Sequence, residues 1–222
     1  MMEIRRLAGL LSTLALTACQ GAGPSGTAVA KNDLPGEWWF HFFTPKALPA
    51  LVTFVVVQDA KGKVYKFNTL DSTKALNGVV GEWNNNVRVV NGYWNHVENP
   101  PRHIIFCWDS VIDKKVYETH LTIPKPTIEK MLKPVIHKGH QPGAEYYNSL
   151  QIGVAPEGKV AVWLSGVARG EPGYRFTPSV LYTLSGDKLA ICKGITKSDF
   201  HYGYDPDIKD FIKGKKYPYG RW

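Results

Sequence analysis

Short apolar segments that occur in pairs, each pair joined by a polar turn, are the feature that most constrains how this chain folds. The segments are rich in β-branched and aromatic residues, and turns such as Asp59-Ala60-Lys61-Gly62 separate the two members of a pair. This pattern predicts antiparallel β-hairpins. The four pairs are residues 51–57 with 64–70, 102–109 with 116–123, 146–154 with 160–167, and 180–184 with 188–193.

Two short helices are predicted beside the strands. The first lies between Pro124 and Pro134, where apolar residues have helical spacing and Thr127 suits the N-cap. The second begins at Pro206 and ends before Gly214. Strands dominate and no repeat period is present. The expected fold class is therefore mainly β, an antiparallel sandwich or a partly open barrel, with two short helices.

The amino terminus carries the pattern of a secretory signal. Arg5 and Arg6 precede an apolar run at residues 7–18, and small residues lead up to Cys19. The run is shorter than the ~20 residues that a membrane-spanning helix needs, which is typical of a cleaved signal. A cysteine at the first mature position resembles a bacterial lipobox, in which that residue is lipidated. A plain signal peptide or a buried core cysteine is the alternative.

These features divide the chain into three parts. Residues 1–18 are the expected lipoprotein signal peptide, residues 19–33 are a small and polar tether, and residues 34–222 form a single β-rich domain. In Gram-negative bacteria an aspartate after the lipidated cysteine is the usual signal for the inner membrane, and here Gln20 follows it. The expected location is therefore the periplasm, with the anchor in the inner leaflet of the outer membrane.

The formal net charge of +8 limits the partners that suit this chain. Basic proteins favour nucleic acid, anionic membranes or acidic proteins, and a periplasmic location leaves no role for nucleic acid. With Cys19 lipidated, Cys107 and Cys192 remain. Such a pair in an oxidising compartment favours a disulfide, and two unpaired buried thiols are the alternative.

Two segments together resemble a known family. One runs from Trp108 through DKKVYETHLTIP to the helix that ends near Met131, and the other is YYNSLQIGVAPEGKVAVWLSG at residues 146–166. With the lipobox, they resemble the Gram-negative lipoproteins known as domain of unknown function 2931. The resemblance covers roughly residues 35–190 and leaves residues 195–222 outside.

That resemblance implies a function. Members of the family are often encoded beside type VI secretion effectors, particularly phospholipases, and some are thought to act as immunity proteins. Since a periplasmic lipase attacks the membrane, an anchored inhibitor is in the right place at a high local concentration. The expected partner is therefore a lipase effector, which the protein binds and neutralises. A structural envelope lipoprotein, or one that binds lipid or glycan without a toxin partner, is the alternative.

No sequence pattern points to catalysis. The chain lacks the Gly-x-Ser-x-Gly elbow of α/β-hydrolases, and Ser165 lies in a predicted strand without the first glycine. His137, His140 and Glu145 are residue types that bind metals, but their segment is typical of a solvated basic loop. We therefore expect a non-enzymatic protein with no catalytic residue, no metal and no cofactor.

Three segments are candidate partner-binding surfaces. Aromatic and amide side chains share residues 81–98, in a predicted long loop at 71–100, and suit recognition; the alternative is that these aromatics close the core. Residues 211–222 mix lysine with tyrosine and suit anionic lipid headgroups or an acidic toxin surface; the alternative is a solvated tail. Residues 169–175 are a predicted loop tip. The residues predicted to bind the partner are Trp83, Asn85, Tyr93, Trp94, Asn95, Arg169, Arg175, Lys215 and Lys216.

Overall fold

Two β-sheets form the body of this protein in the computed structural model. The structure describes residues 34–46, 48–68, 74–80, 95–135, 145–167, 171–195 and 206–217. These ranges contain the helices α1 (Lys125–Met131) and α2 (Pro206–Ile212) and a 3-10 helix at Gly186–Lys188. The strands in them are β1 (Trp38–Lys46), β2 (Ala50–Asp59), β3 (Val64–Phe67), β4 (Lys74–Val80), β5 (His96–Val97), β6 (Pro101–Ser110), β7 (Lys115–Thr122), β8 (Ser149–Ala155), β9 (Lys159–Leu164), β10 (Tyr174–Phe176) and β11 (Val180–Ser185).

The first sheet contains parallel as well as antiparallel pairs. Its strand order is β10-β9-β8-β1-β4, and β5 pairs with β1. β1 runs parallel to β8, with Phe42 opposite Ile152, and also parallel to β4, with Phe43 opposite Lys74. The prediction of a purely antiparallel fold is therefore wrong for this sheet, because parallel pairs join segments that are distant in sequence. β4 also lies within the predicted loop at residues 71–100.

The second sheet is antiparallel, with the order β11-β7-β6-β2-β3. Three predicted hairpins are confirmed: β2 with β3 and β6 with β7 in this sheet, and β8 with β9 in the first one. Within the described ranges the two sheets share no strand. The mainly β class is thus confirmed, and the architecture is sandwich-like rather than a partly open barrel.

The fourth predicted hairpin is wrong. β11 forms where a strand was predicted, but it pairs with β7, and residues 188–193 adopt turns instead of the second strand. The carboxylate of Glu118 accepts hydrogen bonds from the backbone N–H groups of Ala190 and Cys192 at 2.8 and 2.9 Å. A side chain therefore takes the donors that a strand partner would have used.

The core is rich in aromatic side chains. Trp38, Phe40 and Phe42 alternate along β1 and are 2, 0 and 4 % exposed. Trp108 of β6 is fully buried, and its indole N–H donates a hydrogen bond to the Thr119 hydroxyl at 3.0 Å. Burying one such apolar side chain stabilises the folded state by about 1.5–3 kcal/mol. Alternation along the strands thus supplies the apolar face that each sheet contributes to the core.

One helix belongs to this core. Met131 of α1 is fully buried, and Ile128 packs against the same cluster. Its N-cap is Pro124; Thr127, predicted as the cap, is buried further along the first turn. α2 has helical backbone but adds no described side chain to the core, so the sandwich contains one helix and not the two predicted. No helix in the described part of the chain has the length and apolar character of a membrane span.

Candidate partner-binding surface

β11 is an edge strand of the antiparallel sheet, and its first residues are both apolar and exposed. It pairs with β7 on one side, and no described strand lies on the other. Val180, Leu181 and Tyr182 are 43, 39 and 46 % exposed. Proteins usually protect a sheet edge with charges, proline or a bulge, because its backbone groups can pair with another chain. An unprotected apolar edge is therefore a candidate interaction surface.

Every second residue of β11 directs its backbone N–H and C=O away from the sheet. Ile123 N–H donates to the Arg102 carbonyl at 2.8 Å, so odd-numbered residues of β7 bond to β6 and even-numbered ones face β11. The carbonyl of Thr122 accordingly accepts from the N–H of Ser179 at 2.9 Å. The register of β7 and β11 then makes the even-numbered residues of β11 bond to β7. The residues that face outward are Leu181, Thr183 and Ser185.

A groove of about 610 Å³ lies along this outward edge. β11 lines one side, and the turn between β8 and β9 lines another. Gly158 in that turn has φ +71°, and a Cβ on it would come within 3.0 Å of Thr183 and 3.1 Å of Tyr117. Glycine therefore allows the turn to approach the sheet edge closely.

Asp113 is the polar centre of this groove. One carboxylate oxygen, Oδ2, accepts hydrogen bonds from the Tyr117 hydroxyl at 2.5 Å, the Glu157 N–H at 2.7 Å and the Tyr217 hydroxyl at 3.5 Å. The Ser110 hydroxyl donates to the other oxygen. A single carboxylate therefore joins the β6–β7 turn, the β8–β9 turn and the C-terminal segment.

The two tyrosines at Asp113 remain neutral donors. Burial raises the pKa of Tyr117, and the hydrogen bond to Asp113 and the charge of that carboxylate raise it further. The pKa of Tyr217 is also raised, by burial first and then by the negative charges of Asp113 and Glu157. A phenol with a raised pKa keeps its proton at neutral pH. These side chains therefore fix the shape of the groove as hydrogen-bond donors.

The lining of the groove is balanced in charge, and two exposed lysines directly before Tyr217 add a cationic excess next to it. Its two carboxylates belong to Asp113, which already accepts several hydrogen bonds, and to Glu157. Two lysines line the groove, and two more are exposed just before Tyr217. A basic surface favours an acidic partner. The four lysines of this region are Lys115, Lys159, Lys215 and Lys216.

On the side of the sheet remote from the core, Tyr182 contacts His120, which in turn contacts Glu118. The ring of Tyr182 stacks on His120 with centroids 4.6 Å apart, and His120 Nε2 lies 2.6 Å from Glu118. Glu118 is fully buried. Burial raises the pKa of this carboxyl, but the hydrogen bonds from Cys192, His120 and Ala190 outweigh burial and lower the pKa below its usual value. An ionised carboxylate therefore holds the segment that follows β11.

The predicted disulfide between Cys107 and Cys192 is confirmed. Their Cα atoms are 5.5 Å apart, at a sequence separation of 85. Cys107 lies in β6, inside the antiparallel sheet, and Cys192 lies in the turns after β11. The disulfide and the Glu118 carboxylate thus hold the same segment against the sheet.

Several predicted functional residues lie outside the described residues. They include the lipidation site, most of the aromatic and amide cluster, one arginine and both histidines of the basic loop. Their roles stay predictions. These residues are Cys19, Trp83, Asn85, Tyr93, Trp94, Arg169, His137 and His140.

The remaining predicted residues separate into two locations. Asn95 is 8 % exposed, and its carbonyl accepts a hydrogen bond from Phe40 N–H at 2.9 Å, so its position is part of the first sheet. Arg175 is exposed on β10, with its guanidinium 5.2 Å from the ring centroid of Trp163. Lys215 and Lys216 are exposed and directly precede Tyr217, and Tyr217 lines the groove.

The sequence patterns did not identify β11 as a surface, and Asp113 lies in the polar turn predicted between residues 109 and 116. The available signal was the run Val180-Leu181-Tyr182, which has no polar alternation and therefore leaves apolar side chains on both faces of a strand. Among the described residues, no group of three or more histidine, cysteine, aspartate or glutamate side chains is placed to hold a metal ion.

Fold and surface together define a mainly β, sandwich-like protein with an internal disulfide and an exposed apolar sheet edge. The chain belongs to the family described as "Protein of unknown function (DUF2931)", whose family model matches residues 25–220. This match confirms the resemblance to that family and extends it to the C-terminal segment with Lys215 and Lys216. No curated protein and no solved structure matches the chain.

Proposed function

We propose that this protein is a lipid-anchored periplasmic immunity protein that binds a phospholipase effector of a type VI secretion system and neutralises it. The observation that carries the proposal is the exposed apolar edge of β11 beside a groove that is lined by two lysines and two carboxylates and is followed by two exposed lysines next to Tyr217. Buried aromatic and apolar anchors supply most of the binding energy in protein interfaces. Neutralisation by binding requires no catalytic residue in the inhibitor.

The amino-terminal sequence supports the same function. A lipidated Cys19 holds the domain at a membrane face, where a delivered phospholipase finds its substrate. Confinement to that face raises the effective concentration of the inhibitor without any additional contact. The membrane location and the β11 surface therefore both contribute to the proposed neutralisation of a phospholipase.

The first test is inhibition in solution. The mature chain with Cys19→Ser, which lacks the acceptor for lipid, is mixed with a type VI phospholipase effector encoded by the same genome, and hydrolysis of phospholipid vesicles is followed. Equimolar inhibitor is expected to abolish hydrolysis and to copurify with the enzyme. Unchanged hydrolysis with the inhibitor in micromolar excess rejects the function. Binding to vesicles or glycans without binding to the phospholipase instead supports the envelope-lipoprotein alternative.

The second test locates the surface. Val180 and Val64 are both exposed valines on edge strands of the same sheet, at 43 and 53 %, but they lie on opposite edges, β11 and β3. Val180→Asp is expected to weaken phospholipase binding about 30-fold, the cost of losing an interface anchor. Val64→Asp is the matched control and is expected to leave affinity unchanged. Equal losses from both variants place the interface elsewhere, provided that both melt like the parent protein.

A further inference from the structure

We infer that β11 receives an extended, acidic segment of its partner as an additional β-strand. The inference rests on the proposed function for the identity of the partner, while the mode of binding follows from the groove itself. Strand addition to an exposed sheet edge gives affinity through main-chain hydrogen bonds and specificity through alternate side chains.

The backbone of β11 offers the hydrogen bonds that an added strand requires. Leu181, Thr183 and Ser185 direct their N–H and C=O groups away from β7. No described residue pairs with these groups across the edge. Residues at every second position are about 6.6–6.8 Å apart, which is the repeat that an incoming strand presents.

The free space lies on the side of β11 where those groups point. Leu181, Thr183 and Ser185 all line the groove. A paired strand lies ~4.8 Å from its neighbour, so an extended segment in the groove comes within hydrogen-bonding distance of the edge. The close approach of Gly158 to Thr183 closes the groove on the side of the first sheet.

The side chains around the groove define the chemistry of the segment. The exposed side chains of Val180 and Tyr182 lie on the face remote from the core and provide apolar contacts for one set of side chains. Lys115 and Lys159 line the groove beside Asp113, whose carboxylate already accepts hydrogen bonds, and Glu157. The exposed Lys215 and Lys216 directly precede Tyr217 of the lining, so cations outnumber anions here and favour carboxylates in the other set. Like charges opposite one another are unfavourable, so a basic strand is rejected. The structure therefore favours a segment in which apolar and acidic residues alternate.

A synthetic strand tests this without the phospholipase. The probe is an acetylated and amidated peptide of alternating valine and glutamate, about eight residues long. We expect it to bind the mature Cys19→Ser chain about tenfold more tightly than the same peptide with lysine in place of glutamate. Added salt is expected to reduce that ratio. Equal binding of the two peptides, or no binding of either, overturns the inference.

Amide hydrogen exchange of the same sample locates the peptide. The amides of Leu181, Thr183 and Ser185 are expected to exchange quickly in the free protein and about tenfold more slowly with saturating valine–glutamate peptide. The amides of Val180, Tyr182 and Leu184 bond to β7 and are expected to be protected already. Peptide binding with unchanged exchange at the outward-facing amides also overturns strand addition.

Two substitutions of Leu181 separate the contribution of its backbone N–H to peptide binding from that of its side chain. Leu181→Pro removes an outward-facing N–H and leaves the bonds between β11 and β7, a position at which edge strands tolerate proline. Leu181→Ala keeps the N–H and serves as the control. Proline is expected to weaken peptide binding about tenfold relative to alanine. Equal affinities contradict the inference, and the exchange measurement on the unsubstituted chain decides the matter if Leu181→Pro does not fold.

The proposed function and this inference fail in different ways. If the phospholipase is neither bound nor inhibited, the proposed immunity function is wrong, but the result of the peptide experiment is unaffected. If Leu181→Pro and Leu181→Ala both inhibit the phospholipase as strongly as the parent protein, the immunity function is supported and strand addition at β11 is wrong. Each outcome therefore identifies which of the two statements is wrong.

Discussion

The buried carboxylate of Glu118 accepts a hydrogen bond from the backbone N–H of Cys192 at 2.9 Å, across 74 residues of sequence. The same carboxylate forms a hydrogen bond with His120, and the ring of His120 stacks on the exposed ring of Tyr182. The disulfide with Cys107 attaches Cys192 covalently to β6 of the same sheet. The exposed end of β11 and the segment that follows it are therefore fixed to the sheet before any partner arrives, which lowers the entropy cost of binding.

Glu118→Gln is expected to lower the free energy of unfolding by about 1–3 kcal/mol, because charge-assisted hydrogen bonds to a buried carboxylate are lost and an amide brings its own donors toward backbone N–H groups. Urea unfolding at neutral pH measures the change. Glu129→Gln is the control, since the Glu129 side chain is 51 % exposed on α1. Equal stabilities of the two variants contradict the role of Glu118.

The ionised state of Glu118 also predicts how stability depends on pH. The folded protein lowers the pKa of this carboxyl from 4.5. Ionised Glu118 therefore contributes stability that is fully present above pH 4.5 and is lost as the pH falls through the lower folded pKa. Between neutral pH and pH 3 the parent protein is expected to lose more stability than Glu118→Gln. Parallel stability curves for the two proteins argue against this linkage.

Loss of the disulfide is expected to destabilise the fold strongly. With a separation of 85 residues, the chain-entropy model gives roughly 4–5 kcal/mol. For a domain of this size that corresponds to a fall in Tm of roughly 8–20 °C. Calorimetry of the protein with Cys107→Ala and Cys192→Ala measures it, and a linked peptide in a non-reducing digest establishes the bond in the parent. Identical melting of both proteins, with the bond present, contradicts this contribution.

Asp113→Asn is expected to let two tyrosines ionise at lower pH. The negative charge of Asp113 and its hydrogen bonds help to raise the pKa values of Tyr117 and Tyr217, and the amide removes that charge. An alkaline titration followed by tyrosinate absorbance measures the shift. Asp187→Asn, on the exposed 3-10 helix, is the control and is expected to leave the curve unchanged. Superimposable curves for both variants and the parent rule out the role of Asp113.

The parts of the fold that could be predicted are those encoded locally. β6 and β7 follow from two apolar segments and the turn between them, because a hairpin needs only neighbouring residues. The parallel contact between Phe43 and Gly153 could not be predicted, since it joins residues far apart in the chain. The turns after β11 were mistaken for a strand because Glu118, 74 residues earlier than Cys192, takes their N–H groups.

The candidate site was predictable only in its chemistry. Lysine and tyrosine in the C-terminal segment indicated a basic, aromatic surface, and Lys215 and Lys216 directly precede Tyr217, which lines the groove. Which strand lies at the edge of a sheet is decided by the order of the strands, and local sequence patterns do not reveal that order. Val180 therefore looked like one arm of a hairpin, whereas its exposure is a property of the assembled sheet.

Cys19→Ser is expected to leave the affinity for the phospholipase unchanged while weakening the protection of cells. In the proposed function the lipid anchor contributes location and local concentration and no contact with the partner. Calorimetric titration of the chain without the anchor is therefore expected to give the same affinity as the anchored chain. Survival against a strain that delivers the phospholipase measures protection, with export of the variant to the periplasm as the control. Full protection by the exported soluble form would show that lipidation is dispensable for the task, and a loss of affinity would assign the amino-terminal segment to the interface itself.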